Sequence, residues 1–308
     1  MTVTAKIIAD SVNERNTRVT TFELEYPRIV HSELMTHRVF SRNSASSRAI
    51  PVNTMLDLIE VNPAMPSQWG KNQPGMQAKE ELGELEKKAV KDLWLNACKE
   101  AVSHARVMND IKAHKQVINR ITEPYQHMKV VLTGTDFANW FWLREHPDAD
   151  PTIAELAAKM KYEYDYNEPD NLEEDAWHLP YVRTQKANGT YPQRYWDESD
   201  NEITLEQALM ISVSACAQVS YRKTDDTLAK AEMIYKRLIE SKPTHASPTE
   251  HQCQVLSSFQ NNVDWPKGIT HVDRNGTYWS GNIRDWVQYR QLIPDNVKLE
   301  YNNKGEQQ

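Results

Sequence analysis

Two short stretches near the start of the chain alternate apolar and polar positions. Phe22, Leu24 and Tyr26 are separated by polar residues, and residues 13–16 between the stretches are all polar. Because successive side chains of a strand point to opposite faces, this pattern predicts two strands, at 5–12 and 18–26, joined by a turn.

Beyond residue 26 the apolar positions recur at three- and four-residue spacing, which is typical of helices. Pro27 suits the start of a helix, and Asp150 followed by Pro151 forms a helix cap and first residue. The predicted helices are 27–35, 53–61, 78–115, 137–144, 151–162, 205–221, 227–241 and one from 247 to 259. Residues 62–76 and 164–192 are predicted as loops, the first because it holds three prolines.

The predicted elements give a helix-rich chain with a small antiparallel sheet, so the expected fold class is α+β. We expect a single domain over 1–308, with an insertion or lid around 164–202. At 308 residues, with 9 glycines and no low-complexity run, the chain has little room for long flexible linkers.

Composition narrows the choice of partners. Hydrophobic residues make up 39% and charged residues 26% of the chain, and the net charge is -7. A broad basic surface is needed to bind nucleic acid non-specifically, so we expect no polynucleotide partner, whereas a small anionic ligand stays open. The three cysteines lie far apart and give no zinc signature. No apolar run has bilayer length and no signal-peptide core is present, so we expect a cytoplasmic protein without membrane contact.

The densest chemistry lies at residues 36–48. This segment holds three arginines, one histidine and four serines and no acidic residue. Arginine offers paired, permanently charged donors, and serine adds short hydroxyl donors. Such a set suits a phosphate or carboxylate ligand. The alternative is a solvated basic face at a helix end.

Two further arginines have both a functional and a structural interpretation. Arg120 precedes a turn at Pro124 and is either part of an anion site or one half of a surface ion pair. Arg144 ends a segment rich in aromatic residues. It either stacks on tryptophan to bind a flat ring by cation–π contact, or complements the dipole of a core helix from its last turn.

Residues 245–251 carry two histidines around a helix-start pattern. Ser247 and Glu250 have the spacing of a capping box, with Pro248 at the first helical position. A capping box leaves His245 and His251 unexplained. One glutamate makes a poor metal site with them, so we expect no metal.

Taken together, these segments resemble flavin-dependent thymidylate synthases. Residues 21–27 resemble the family's strand before its arginine signature, Arg120 resembles the arginine of a later segment, and residues 139–144 resemble a conserved helix. The positions that match the arginine signature are His37, Arg38, Ser41, Asn43, Ser46 and Arg48.

Motif order and four positions depart from the family pattern. In the family, two motifs precede the arginine signature. Here, residues 215–221 and 245–251 resemble those motifs but follow the signature, which indicates a permuted or rearranged relative. The substituted positions are Thr36 for arginine, Ser44 for glutamate, Ala49 for tyrosine and Gln218 for arginine. The resemblance therefore implies the binding scaffold more firmly than the reaction.

The resemblance implies methylation of dUMP to dTMP, with methylenetetrahydrofolate as carbon donor, FAD as cofactor and NADPH as reductant. It also implies a homotetramer. The implied dUMP site is Ser46, Ser47, Arg48, Arg120 and Arg144. The implied FAD site is His37, Arg38, Asn139, His245, Ser247 and Glu250. Arg144 and His245 are the implied catalytic residues, and no metal is implied.

Three alternatives stay open. The scaffold could instead hydroxymethylate dUMP or dCMP, for which the substitutions at Thr36 and Ser44 are the reason. The chain could be a nucleotide-binding protein without catalytic activity that keeps the arginine pocket. It could also be an unrelated α+β domain with accidental motif matches.

Overall fold

The computed structural model describes residues 3–185, 192–220, 227–257 and 265–298. Helices and short strands are mixed along the chain, as the α+β prediction requires. The chain divides into two compact units. Unit 1 comprises Met1–Asp10, Thr20–Pro169 and Gln218–Thr224, and unit 2 comprises Ser11–Val19, Asp170–Ala217 and Asp225–Gln308. The single domain and the lid around 164–202 stay predictions.

The sheet of unit 1 has the strand order β3, β4, β2, β1. The strands are β1 Thr4–Asn13, β2 Arg18–Pro27, β3 Ser41–Ser44 and β4 His127–Gly134, and the turn-side ends of β1 and β2 belong to unit 2. β4 pairs antiparallel with both β2 and β3. The predictions of strands at 5–12 and 18–26 are confirmed. One face of this sheet is fully buried, through side chains such as Leu24 and Leu132.

Six α-helices belong to unit 1 in the part of it that is described. They are α1 His31–Met35, α2 Val52–Val61, α3 Glu84–Asp110, α4 Lys115–Ile118, α5 Ala138–Arg144 and α6 Pro151–Tyr166. Asp150 caps α6 as predicted, because its carboxylate accepts from the Thr152 amide at 2.8 Å. α3 begins later than predicted. The extended Gly83 precedes it, and the Glu86 carboxylate accepts from the Gly83 amide at 2.9 Å.

The prediction that 164–192 is a loop is wrong in part. α6 extends to Tyr166, and three strands follow within the described residues of that stretch, while 186–191 lie outside them. β5 pairs in parallel with the end of β1, so the sheet is not purely antiparallel. The strands between residues 167 and 204 are β5 Asp170–Leu172, β6 Trp177–His178, β7 Arg183–Gln185, β8 Arg194–Trp196 and β9 Glu202–Ile203.

Within the described residues, the C-terminal part of unit 2 contains two α-helices and five strands. They are α7 Leu205–Ala217, α8 Leu228–Tyr235, β10 Cys253–Val255, β11 His271–Val272, β12 Tyr278–Ser280, β13 Ile283–Arg284 and β14 Trp286–Gln288. Residues 205–220 and 228–240 are helical, close to the predicted bounds, the first ending in a 3-10 turn and the second in a π-helix, and Tyr221 lies outside the described residues. The helix predicted from 247 to 259 is wrong, since a single 3-10 turn, Ser247–Glu250, is followed by β10; residue 259 is not among those described. None of the helices described combines the length and apolarity needed to cross a membrane.

Unit 2 buries two histidines close together. His178 on β6 makes a hydrogen bond between its Nδ1 and the Ser11 hydroxyl at 2.9 Å, and His251 is fully buried. Burial lowers the pKa of both imidazoles to about 3, and His178 adds to the effect on His251. Both rings are therefore neutral in the folded protein at pH 7.

We expect these histidines to make the protein less stable in acid. Their folded pKa of about 3 lies below the ordinary 6.5, so the unfolded chain binds more protons between these values. The free energy of unfolding should fall by about 1.4 kcal/mol per pH unit for each histidine as pH drops from 6.5 towards 3. Urea unfolding at several pH values measures this slope. His251→Gln should reduce it by about one proton, and an unchanged slope would contradict the assignment.

Candidate functional site

Arg144 is the centre of a hydrogen-bonded cluster in unit 1. Its Nε donates to His37 Nε2 at 3.0 Å, its Nη1 donates to Glu33 Oε2 at 2.8 Å, and its Nη2 donates to Thr36 Oγ1 at 3.2 Å. α5 ends at Arg144 and α1 supplies Glu33, with Thr36 and His37 directly after α1. The ends of two helices therefore place these four side chains together.

The charges of this cluster fix the state of His37. Because Arg144 donates to Nε2, that nitrogen is an acceptor and the ring is neutral with its proton on Nδ1. Burial lowers the pKa of His37, and the guanidinium groups of Arg144 and Arg42 lower it further. Burial raises the pKa of Glu33, while Arg144 opposes that rise. The cluster thus has one permanent cation facing one carboxylate.

A cleft of about 990 Å³ lies beside this cluster. Glu33 and Arg144 line it, together with residues of the loop before α3 and of the segment that joins α5 to α6. Ligand sites are usually concave and are lined by a few oriented polar groups. This cleft is therefore the cavity that Arg144 could serve.

A second cluster gathers around the carboxylate of Glu123. Arg28 Nη2 lies 3.0 Å and Arg120 Nη1 lies 4.0 Å from Glu123 Oε1, and the Ser47 hydroxyl donates to the same oxygen at 3.4 Å. Ser47 and Arg120 are far apart in sequence. Asn119 holds them together, since its side-chain amide donates to the Ser47 carbonyl at 2.7 Å.

The turn at 46–48 completes this second cluster. The Arg48 amide donates to the Ser46 hydroxyl at 3.3 Å, and the Arg48 side chain is exposed. Four of the five implied dUMP residues therefore lie at or next to the Glu123 cluster. The fifth, Arg144, does not join them through its described contacts, which go to Glu33, Thr36 and His37.

One arginine of the 36–48 segment has a structural role. Arg42 donates through Nη1 to the carbonyl oxygens of Met35 and His37, both at 3.1 Å. The Met35 carbonyl belongs to the last turn of α1, whose carbonyls have no helix partners, and the His37 carbonyl lies just beyond it. Arg42 therefore stabilises the turn, whereas Arg38 and Arg48 are exposed.

The implied flavin residues of unit 1 differ in accessibility. Arg38 and Asn139 are exposed, whereas His37 is buried and packs edge-on against Trp140, with the ring centroids 4.8 Å apart. The core-helix interpretation of 139–144 is confirmed for Trp140, which is fully buried. The guanidinium of Arg144 complements the end of the same helix.

In unit 2 the capping-box prediction for Ser247 and Glu250 is wrong. The cap residue of the short turn is Ala246, which makes no side-chain cap bond. Glu250 instead pairs with Arg290 in a half-buried ion pair, and Gln288 donates to the Glu250 carbonyl at 3.0 Å. His245 and Ser247 are exposed.

We expect Glu250→Gln to lower the free energy of unfolding by about 1–3 kcal/mol, because it leaves a partly buried guanidinium without its charge partner. The matched control is Asp295→Asn in the exposed pair with Lys242, which should cost much less because solvent screens that pair. Thermal and urea unfolding of both variants measure the difference. Equal small losses would show that the Arg290 contact contributes nothing.

Sequence reasoning missed three residues of these clusters: Arg28, Glu33 and Glu123. Glu33 lies one helical turn before Thr36, and Glu123 lies three residues after Arg120, so their spacing carried a weak signal. Arg28 carried none, because only the antiparallel pairing of β2 with β4 brings its region to Glu123. In the part of the chain that is described, no three His, Cys, Asp or Glu side chains are arranged to hold a metal ion.

Comparison with known proteins gives a partial likeness of fold. No protein-family model matches the chain, and no curated protein matches it in sequence. Two solved structures of a UMP/dUMP methylase PolB from Streptomyces cacaoi, bound with 5-Br dUMP and 5-Br UMP, are similar to it with a TM-score of 0.44 each. They share 14% and 15% sequence identity with it and cover 53% of this chain and 89% and 88% of their own.

Proposed function

We propose that this protein binds dUMP and methylates it to dTMP, with methylenetetrahydrofolate as carbon donor, FAD as cofactor and NADPH as reductant. The observation that carries the proposal is the Glu123 cluster. Ser47, Arg28 and Arg120 come from three separate segments and point their donors at one carboxylate oxygen. Ser47 and Arg120 are residues that the resemblance to flavin-dependent thymidylate synthases implies for the dUMP site, and Arg120 is one of those implied for the phosphate.

The chemistry of this cluster supports phosphate binding. Charge-assisted hydrogen bonds from guanidinium groups are stronger than neutral ones and suit phosphate oxygens. Arg120 is 63% exposed at its side chain and Arg48 is exposed, so both can reach a ligand without unfolding the turn. In this function dUMP phosphate displaces Glu123 from Arg120, while Arg28 keeps the carboxylate.

Arg144 is the proposed catalytic residue together with His245. A guanidinium beside the uracil carbonyl would stabilise negative charge that develops there. The bond from Nη2 to Thr36, at 3.2 Å, is the longest of its three and is the one to exchange for substrate. Thr36 stands where the family has arginine, so Arg144 has a neutral neighbour there rather than a second cation.

The residues of unit 1 fit a flavin in part. The exposed guanidinium of Arg38 suits the diphosphate of FAD, and the exposed amide of Asn139 can hydrogen-bond a ring edge. A bound reduced flavin would supply the electrons for the reaction. Glu250 does not fit, because Arg290 already holds its carboxylate. His245 and Ser247 are exposed and stay proposed flavin residues.

One observation favours a second candidate, a nucleotide-binding protein without catalytic activity. All three guanidinium nitrogens of Arg144 are engaged by Glu33, Thr36 and His37. An arginine held in this way stabilises the fold, and its donors and its charge are already paired within the protein and are not offered to a substrate. This candidate keeps the phosphate site and loses the chemistry.

The deciding experiment is a visible absorption spectrum of the purified protein, followed by addition of NADPH with and without dUMP. The methylase proposal expects an oxidised-flavin spectrum that bleaches, and a product heavier than dUMP by one CH2 unit when the folate is present. A hydroxymethyl product, or turnover of dCMP, would replace the reaction but keep the site. A colourless protein that takes up no added FAD and still binds dUMP would establish the binding protein instead.

A further inference from the structure

A second cavity lies in unit 1 between α2 and the sheet, on the face opposite the buried core. Its volume is about 280 Å³. The α2 side is aliphatic, through Met55, Leu58 and Ile59, and Ile50 and Tyr125 extend that wall. The sheet side is polar, through Glu25, His127 and Lys129. Neither the Arg144 cluster nor the Glu123 cluster lines it.

The polar wall presents an acceptor beside a donor. Glu25 on β2 and Lys129 on β4 are directly opposite in the antiparallel register, with Lys129 Nζ 3.9 Å from Glu25 Oε2. Both side chains are partly exposed, at 38% and 41%, so this contact is loose enough to open for a ligand. A carboxylate next to an ammonium is complementary to a ring edge on which an N–H adjoins a C=O.

A neutral imidazole lies on the same wall. Burial lowers the pKa of His127, so the ring carries no charge at pH 7. Its Nε2 is buried and has no hydrogen-bond partner within the described residues. Buried polar atoms are rarely left unsatisfied, and His127 is among the residues that line this cavity.

The size of the cavity limits the ligand. At about 280 Å³ the cavity is just below the volume range of drug-sized sites. It therefore admits a ligand of one or two rings. The aliphatic and aromatic wall favours a flat, uncharged ring, because such a ring covers Leu58 and Tyr125 on one side while its edge meets Glu25 and Lys129.

We infer that this cavity between α2 and the sheet binds a small neutral heterocycle with a lactam edge, whose N–H donates to Glu25 and whose carbonyl accepts from Lys129. The inference does not depend on the proposed function. It uses neither Arg48, Arg120 nor Arg144, and it requires no phosphate on the ligand.

The test is equilibrium dialysis of the full chain with radiolabelled thymine, and with 1,3-dimethylthymine as a probe of similar shape that lacks N–H groups. We expect thymine to bind and the dimethyl compound to bind at least tenfold more weakly. Lys129→Met and Leu58→Trp, the first removing the donor and the second filling the cavity, should each lower thymine affinity at least tenfold. The matched control is Glu23→Gln, on the same strand and the same face but outside the cavity, which should retain binding.

Each result decides. Absence of thymine binding to the parent protein would overturn the inference. Equal binding of both compounds would overturn the lactam edge, and thymine binding unaffected by Lys129→Met and Leu58→Trp would put the ligand elsewhere. Circular dichroism of every variant establishes that it folds. If Leu58→Trp does not fold, Glu25→Gln, which weakens the acceptor on the wall, takes its place with the same expected loss.

Discussion

Trp140→Ala is expected to lower the free energy of unfolding by about 3–5 kcal/mol. The indole is fully buried in the core of unit 1. It packs edge-on against His37, with ring centroids 4.8 Å apart, and against Phe40 at 6.0 Å. Alanine would leave a cavity that the rigid ends of α1 and α5 cannot fill by small shifts. The variant therefore loses the transfer free energy of the buried indole and also bears the cost of the cavity.

The same helix supplies the control. Trp142 lies two residues further along α5 and is 73% exposed. Trp142→Ala should change the free energy of unfolding by about 0.5 kcal/mol or less, because it removes little buried surface. Urea unfolding followed by circular dichroism compares the two variants without relying on tryptophan fluorescence. Similar losses for both would contradict the burial pattern of α5.

Trp140→Ala also tests the coupling of the core to the Arg144 cluster. The ring of His37 is held between Trp140 and the guanidinium of Arg144. Loss of the indole should let the imidazole move and raise the pKa of His37 towards its ordinary value, since burial is the main cause of its lowering. Titration of the histidine resonances by NMR measures this shift.

The sequence patterns predicted β2 and the start of α6 correctly, because neighbouring residues in the sequence determine both. The alternation of Phe22, Leu24 and Tyr26 marks β2, because one face of that strand is buried and the other is not. The cap of α6 is contained in Asp150 and the two residues that follow Pro151. Each of these two signals is contained within a few consecutive residues, so no tertiary information is needed to find it.

Sequence reasoning did not find β4, which is central to the sheet of unit 1. Val130, Val131 and Leu132 are all fully buried, so the strand shows a continuous apolar run rather than alternation. Periodicity cannot distinguish such a run from a buried helix. The helix predicted beyond Glu250 failed for a related reason. Residues Cys253–Val255 pair with β6 and β14, and those partners lie far away in sequence.

The candidate site divides in the same way. Composition alone marked 36–48 as an anion-binding segment, but it could not show that Arg42 bonds to carbonyls while Arg48 is exposed. Nor could it show that Ser47 and Arg120 meet at Glu123. That meeting depends on Asn119, whose amide reaches the Ser47 carbonyl across a large separation in sequence.

Arg120→Ala and Arg48→Ala are each expected to weaken dUMP binding by about 10- to 100-fold. A charge-assisted hydrogen bond to phosphate contributes about 1.5–3 kcal/mol, and 1.4 kcal/mol is a factor of about ten. Both side chains are exposed, so neither variant should lose much folding stability. Isothermal titration with dUMP gives the affinity. The matched control is Arg106→Ala in the exposed pair with Glu60, which should bind dUMP like the parent.

Glu123→Gln should act in the opposite direction and strengthen dUMP binding by about tenfold or less. The Glu123 carboxylate contacts Arg120 and Ser47 in this structure, and under the proposed function it would compete with phosphate for them. Glutamine keeps the shape and removes the competing charge. Glu60→Gln, beside Arg106, is the control and should leave dUMP affinity unchanged.

A purely structural ion pair would give a different result. In that case Glu123→Gln would lower stability without any gain in affinity, and the arginine variants would bind dUMP like the parent. Opposite signs at Arg120 and Glu123 therefore identify an anion site in which a carboxylate occupies the place of the phosphate.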